Sequence, residues 1–442
     1  MQDLNFEEKL HNQSIADSVR TANEDKRKQN PNLKAREIID EYNMIYYGDS
    51  FFKYHKGRYA ILNDNQMKQI IHDHIKDDYR QSKFKEIQDC MIAQCLVDSI
   101  NTKSGINVLN GIFDFTSKTL IEHNHEYRFT TQIQANYDPD AKCTKWESFL
   151  LEMLDDDQSK IKILQEYCGY SLDYSVNVEM ILFLLGRGAN GKSVTCDAVK
   201  SVIGYGNYDT ISLDDLKNKN YIAELLGKLV NISTESQAKA EVYESNLKRL
   251  ASGEEIKVDR KFKHPFNFKS NCKHIYCLNN LPRVGDKTDA FFRRVLPIPF
   301  NRQVEKDKRI LGLGALIGKE EASGILNWMI DGYFRLKDNN WQFTHSEQVQ
   351  HLLDEYRRDN NNVLNFVDEE CEISKDNFIS NASSYKKYQD WCKESGVQPI
   401  KKKSFIHEIV ENYKDQKVYR EKMSGVRGLT GISLISSQNE PF

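Results

Sequence analysis

The stretch "MILFLLGRGANGKSVTCDAV", Met180 to Val199, decides the fold. Ile181 to Leu185 is an unbroken apolar run bounded by glycine, which predicts a short strand buried on both faces. Gly186, Arg187, Gly188, Ala189, Asn190, Gly191, Lys192 and Ser193 follow, and Val194 leads into a segment that can open a helix. Glycines let successive backbone N–H groups face phosphate oxygens without a Cβ in the way. Lys192 is placed for the β- and γ-phosphates, Ser193 for Mg²⁺, and the helix N-terminus for negative charge. Strand, loop and helix in that order make a nucleoside triphosphate site, with residues 186–194 as its cradle.

Downstream, "LLGKLVNISTES" predicts a second buried strand over Lys228 to Ser233. Glu235 lies at its end, where a carboxylate can activate an attacking water and support Mg²⁺. "HIYCLNNLP", His274 to Pro282, predicts a third strand that ends in Asn279, an amide able to orient water against the γ-phosphate. "DAFFRRVLPIPF" then sets Arg293 and Arg294 before a further apolar strand. Such a pair is either surface charge or the source of an arginine that neutralises transition-state charge across a subunit interface. In "EEIKVDRKFKHPFNFKSN" the strand-like "IKV" and "FNF" flank Lys261, Phe262, Lys263 and His264. That basic, aromatic tip is either a solvated turn or a contact for single-stranded nucleic acid. Residues 180–300 thus alternate strands and helices, an α/β pattern.

The 442 residues allow two to four domains, and 39% hydrophobic with 11% aromatic residues is a globular composition. A net charge of -3 gives no overall attraction to nucleic acid or membrane, so any such partner must meet a local patch. One patch lies near the end: residues 401–427 hold eight Lys or Arg against four Asp or Glu, including the run Lys401, Lys402, Lys403. Nine cysteines without a C-x-x-C or zinc spacing read as reduced thiols. The chain begins without an apolar targeting segment, and the expectation is a cytoplasmic protein with no membrane partner.

Toward the N-terminus, residues 1 to about 45 are polar and helix-leaning, and "FFKYHKGRYAILND" suggests a hairpin about Lys56-Gly57. Residues 65–100 read as helices, and "INVLNGIFDFTSKTLIEH" returns to strands with turns at Asn110-Gly111 and Thr116-Ser117. Helices are expected again from 144 to the opening motif, then over 347–371, and from about 375 to 435 helices ending in strands.

The order of P-loop, strand ending in Glu235, basic hairpin, strand ending in Asn279 and Arg293-Arg294 resembles the superfamily 3 helicases of viruses, phages and plasmids. It is most similar to the phage and plasmid primase–helicases that share a poxvirus-like helicase module. "LQEYCGYSLDYSVNVEMILFLLGRGANGKS" is similar to that group's run into the P-loop, and "YKKYQDWCKESGVQPIKKKSFIHEI" to its C-terminal module. The resemblance covers about residues 50–435. It implies an α/β P-loop NTPase core of AAA+-like, superfamily 3 helicase type, with a mixed α+β N-terminal domain and a C-terminal winged helix. The corresponding boundaries are an N-terminal domain at 1–135, a helical pre-helicase segment at 136–175, the ATPase at 176–335, a helical linker at 336–374 and the winged helix at 375–442.

The resemblance further implies ATP and Mg²⁺ bound between subunits of a homo-hexameric ring. Lys192, Ser193, Glu235 and Asn279 would stand on one side, and Arg294, with Arg293 as alternate, would come from the neighbour. Residues 261–264 would hold single-stranded DNA in the channel, with movement 3′ to 5′. A recognition helix beginning near Lys402 would meet duplex or origin DNA with Lys401 and Lys403. One departure is that Ser233 and Thr234 precede Glu235 where many members carry two acidic residues. About 50 residues precede the recognisable segment, too few for a primase domain, so no primase activity is expected in this chain. The expected function is an ATP-dependent DNA helicase and replication initiator of a phage, plasmid or genomic island. The alternatives are an ATPase that loads a separate helicase, a small-metabolite kinase, or a non-motor origin-binding protein.

Overall fold

A computed structural model describes residues 30–76, 80–234, 244–260, 265–282, 284 and 289–435. It begins with helix α1 (Pro31–Tyr42), capped by Asn30, whose side chain accepts from the Asn32 N–H, and started by a proline whose missing N–H costs nothing there. A meander of β1 (Met44–Tyr47), β2 (Ser50–His55) and β3 (Arg58–Ile61) follows. Its second turn is the expected Lys56-Gly57, both left-handed at φ 48° and 85°, the twist that suits a two-residue hairpin. Helices α2 (Asp64–Ile75) and α3 (Gln81–Cys95) close over α1 through Ile38, Met67, Ile71, Ile87 and Met91.

Strands β4 (Gly105–Val108), β5 (Gly111–Asp114) and β6 (Thr119–Ile121) form a second small antiparallel sheet. Helices α4 (Thr144–Met153) and α5 (Gln158–Tyr170) lead from it to the centre of the molecule. Their buried Trp146, Leu150 and Tyr167 share one hydrophobic cluster with Leu182, Leu184 and Val199 of the P-loop unit. The Tyr167 hydroxyl donates to the His274 carbonyl at 2.8 Å, tying α5 to the central sheet. The segment before the P-loop therefore builds the same core as the sheet.

That sheet holds β7 (Ile181–Leu185), β8 (Tyr208–Asp209), β9 (Val230–Ser233), β12 (Lys273–Leu278) and β13 (Val295–Pro299), all parallel, in the order β13-β7-β12-β9-β8. Every residue of β7, β9 and β12 is buried; β7 accordingly runs apolar without alternation, while β9 buries Asn231 and Ser233 and β12 buries Lys273 and His274. The P-loop helix α6 (Lys192–Ile203) follows β7. The short helices α7 (Lys219–Ala223) and α8 (Glu244–Ala251) lead to the expected hairpin, where β10 (Glu255–Val258) pairs with β11 (Phe266–Lys269). After α9 (Asp289–Phe292) and β13, helix α10 (Leu313–Glu320) lies on α6, and α11 (Ala322–Asp338) packs on α5. A Cβ at Gly314 would run into the Val194 carbonyl, so the α10–α6 approach needs glycine there.

Helix α12 (Glu347–Asn360) leads into a C-terminal unit of α13 (Asn362–Glu370), β14 (Cys371–Ser380), α14 (Asn381–Glu394), α15 (Lys402–Tyr413), β15 (Tyr419–Met423) and β16 (Val426–Leu434). Its sheet is antiparallel with the order β14-β16-β15. Val363 and Phe366 join its core with Tyr388, Phe405 and Ile409, so the unit starts ahead of the boundary expected at 375. Strand β14 replaces the helix expected from 375; its register against β16 shifts between Ile373 and Phe378, which breaks the alternation a strand would show in sequence. Among the described residues no helix is long and apolar enough to cross a membrane.

Candidate active site

The P-loop turns on three left-handed residues, Gly188 at φ 87°, Ala189 at φ 49° and Gly191 at φ 85°. Gly186 has a second constraint: a Cβ there would strike the Asn190 side chain and the Phe300 carbonyl. Asn190 is buried and donates to that same carbonyl at 3.0 Å, which fixes the loop to the end of β13. Lys192 is only 6% exposed. Its ammonium donates to the Gly186 carbonyl at 2.6 Å and to the Asn190 amide oxygen at 3.0 Å. Burial holds its pKa below the ordinary lysine value. A partly desolvated cation at a helix N-terminus is stabilised by an approaching anion, so the cradle fits phosphate.

The loop floors a cavity of about 740 Å³ lined by residues 188–194. Because β12 lies between β7 and β9, the ends of all three strands converge on it. Asn279, just beyond β12, and Thr234, just beyond β9, both line the cavity. Glu235 is the next residue after Thr234 and lies outside the described residues. Ser193 is exposed toward the cavity, as a magnesium-binding hydroxyl must be.

Four charged or aromatic contributors to this cavity carry no motif in the sequence. Asp214, in the turn after β8, is exposed and lines it beside Thr234. Phe149 reaches it from α4, and Lys308 and Arg309 from the segment before α10. The "KDKR" run at 306–309 was a visible basic cluster; Asp214 and Phe149 had no local signal, since only the strand order and the packing of α4 bring them there.

The two arginines separate. Arg294 is buried at 9% exposure, pairs with Glu179 at 2.6 Å, and donates to Ser252 Oγ at 2.9 Å and to the Ala290 carbonyl. Its own carbonyl accepts from the Ile181 N–H at 2.7 Å, which locks the residue into the start of the β13–β7 pairing. Within its own chain the Arg294 guanidinium is thus engaged by Glu179, Ser252 and the Ala290 carbonyl. Arg293 is exposed.

Lys261, Phe262, Lys263 and His264 lie outside the described residues, but their hairpin stem is defined. Val258 pairs with Phe266, and the Arg260 guanidinium sits 4.9 Å over the Phe266 ring. Arg260 also donates to Ser50 Oγ at 2.7 Å, anchoring the stem to the start of β2. In the C-terminal unit Lys401, Lys402 and Lys403 are all exposed at the N-terminus of α15. Arg420, Lys422 and Arg427 are exposed on the adjoining β15–β16 hairpin.

Comparison with known proteins adds three partial matches. Residues 8–155 match the family described as D5 N terminal like, and residues 358–426 the family described as poxvirus D5 protein-like. Between them, residues 184–294 match a family of unknown function, DUF5906. Similarity to D5-type proteins thus brackets the P-loop unit on both sides. A protein of Acanthamoeba polyphaga mimivirus named as a candidate helicase, L207/L206, is 22% identical over 284 residues, 61% of this chain. The chain spans only 30% of that relative's length. Among solved structures, the A-form apo structure of the NrS-1 C-terminal region is 13% identical at a TM-score of 0.52, covering 91% of this chain and 100% of that one. That likeness is one of fold.

Proposed function

We propose that the protein is an ATP-dependent DNA helicase that serves replication initiation and works as a homo-hexameric ring. The observation that carries this reading is the convergence of Lys192, Ser193, Thr234 and Asn279 on one cavity, with a basic hairpin inserted in the chain between the last two. An element placed between the strand end that precedes Glu235 and the strand end that carries Asn279 can follow the state of the γ-phosphate. The D5-type similarity on both flanks and the helicase name of the mimivirus relative support the choice of DNA as the object of the work.

In this account ATP lies along residues 186–194, with Lys192 on the β- and γ-phosphates. Glu235 activates water, Asn279 orients it, and Mg²⁺, held by Ser193 with Glu235 and Asp214 nearby, would neutralise phosphate charge. Arg293 serves the neighbouring subunit's site while Arg294 positions it. Ile310, which lines the cavity, and the adjacent Leu311 are 61% and 103% exposed, which supports a partner copy covering that edge. Lys261, Phe262, Lys263 and His264 hold single-stranded DNA. The helix-strand-helix-helix-strand-strand unit acts as a winged helix, with α15 carrying Lys401, Lys402 and Lys403 to duplex or origin DNA.

The test is ATP hydrolysis by the purified protein with and without single-stranded DNA. Hydrolysis that rises with DNA and vanishes in Lys192→Ala supports the reading. Hydrolysis indifferent to DNA would turn the account toward a metabolite kinase.

A further inference from the structure

We propose that Cys196 and Cys277 form an oxidation-sensitive thiol pair beneath the nucleotide cavity, a site of reversible disulfide formation that disables the phosphate cradle. Cys196 stands on α6 one turn after Lys192, and Cys277 on β12 two residues before Asn279. Their sulfurs lie 3.3 Å apart, and both side chains are buried, at 2% and 4% exposure. Only Cys277 also lines the cavity, so a small oxidant entering there meets Cys277 first, with Cys196 directly behind it.

The exposure of Cys277 to the cavity assigns the roles, and the electrostatics agree. The contact with Cys196 holds the Cys277 thiol below its ordinary range, and the Lys192 and Lys200 ammonium groups act in the same direction. The same contact, with burial, pushes the Cys196 thiol up. Cys277 is therefore the nucleophile and Cys196 the resolving thiol. With hydrogen peroxide, the Cys277 thiolate attacks one oxygen, the O–O bond breaks, and the departing hydroxide takes a proton to leave as water. Cys196, losing its proton, then attacks the Cys277 sulfur. The S–O bond breaks, a second water leaves, and two thiols have given up two electrons to form one disulfide.

Bonding brings the sulfurs from 3.3 Å to about 2.05 Å. Strand β12 is paired on both sides, by β7 and by β9, so it resists the movement and the first turn of α6 yields instead. That turn carries Lys192 and Ser193. A nucleotide in the cavity covers Cys277 and slows the reaction. This last point, and the loss of hydrolysis, rest on the nucleotide reading of the cavity; the thiol chemistry does not.

The experiment treats the full chain with hydrogen peroxide, with and without Mg-ADP, and maps disulfides by peptide mass spectrometry while ATP hydrolysis is followed. The expected result is a Cys196–Cys277 cross-link, slowed by Mg-ADP, with hydrolysis lowered about tenfold or more, equivalent to a barrier about 1.4 kcal/mol higher, and restored by dithiothreitol. Cys196→Ala should hydrolyse ATP normally when reduced and keep its activity in peroxide; Cys196→Ser serves if alanine loosens the core. Oxidised wild-type protein without the 196–277 linkage overturns the proposal. So does equal inactivation of both Cys196 variants. A linkage that forms in a protein with no hydrolysis when reduced supports the thiol pair and contradicts the ATPase reading instead.

Discussion

In the proposed turnover Lys192 holds phosphate and Glu235 activates water, so their variants should separate. Lys192→Ala removes the one buried ammonium of the loop, so nucleotide binding and hydrolysis should fall together. Glu235→Gln should keep binding while hydrolysis drops by about 10²-fold or more, since only water activation is lost. Nucleotide titration beside steady-state ATPase checks both, and a Glu235→Gln chain that hydrolyses at the wild-type rate removes the assigned base. The arginines give a sharper contrast. Mixing Arg293→Ala with Lys192→Ala chains should restore part of the ATPase, because some mixed interfaces carry both intact groups. Arg294→Ala should not be rescued, and should lower thermal stability by about 1–2 kcal/mol because Ser252 and the half-exposed Glu179 lose their shared donor. The sequence presented two adjacent arginines with nothing to distinguish them. What separates them is the β13–β7 pairing, which turns one side chain inward and the next outward.

At the scale of elements, the hairpin and α15 should fail differently. Lys261→Ala with Lys263→Ala should leave basal hydrolysis nearly intact while strand separation collapses. Replacing Lys401, Lys402 and Lys403 by Ala should weaken duplex binding and flatten its salt dependence, because fewer counterions are released. Unwinding of a substrate with a ready single-stranded tail should survive the second change. Losses of the same kind in both variants would remove the division into motor and recognition modules. The short strands behind this division were legible because each is buried on both faces or bounded by strong turn residues such as Lys56-Gly57. Strand β14 was not legible: in "CEISKDNFIS" the apolar Ile373, Phe378 and Ile379 fit neither period, since the register slips between them. Asp214 was equally hidden, because its place in the cavity depends on β8 lying beside β9, a long-range pairing.

For the whole molecule, one cluster runs from Ile106 through Leu182 to Val349, so the P-loop unit gains its core from segments on either side of it. The P-loop itself could be read directly from residues 186–193, whereas this dependence could not, since Trp146 and Tyr333 are ordinary apolar positions until the fold brings them together. Shared burial also links the sheet to pH. His274 on β12 is fully enclosed, and burial, helped by Lys273, pushes its pKa to about 3. The native state therefore keeps it neutral while the unfolded chain takes up a proton below pH 6.5. Stability should be fully present above that pH and fall by up to about 1.4 kcal/mol per unit between 6.5 and 3. Thermal melts of wild type and His274→Gln from pH 7 to 5 should diverge in slope, and parallel curves would contradict this.

In the proposed function, hydrolysis in the 186–194 cradle separates DNA strands. This is tested most directly by strand displacement on a forked duplex with labelled strands, run with ATP, without ATP, and with the Lys192→Ala chain. Displacement is expected only for the wild type with ATP. Wild-type protein that hydrolyses ATP on the fork yet leaves the duplex intact would contradict it, and would point to an ATPase that loads another enzyme.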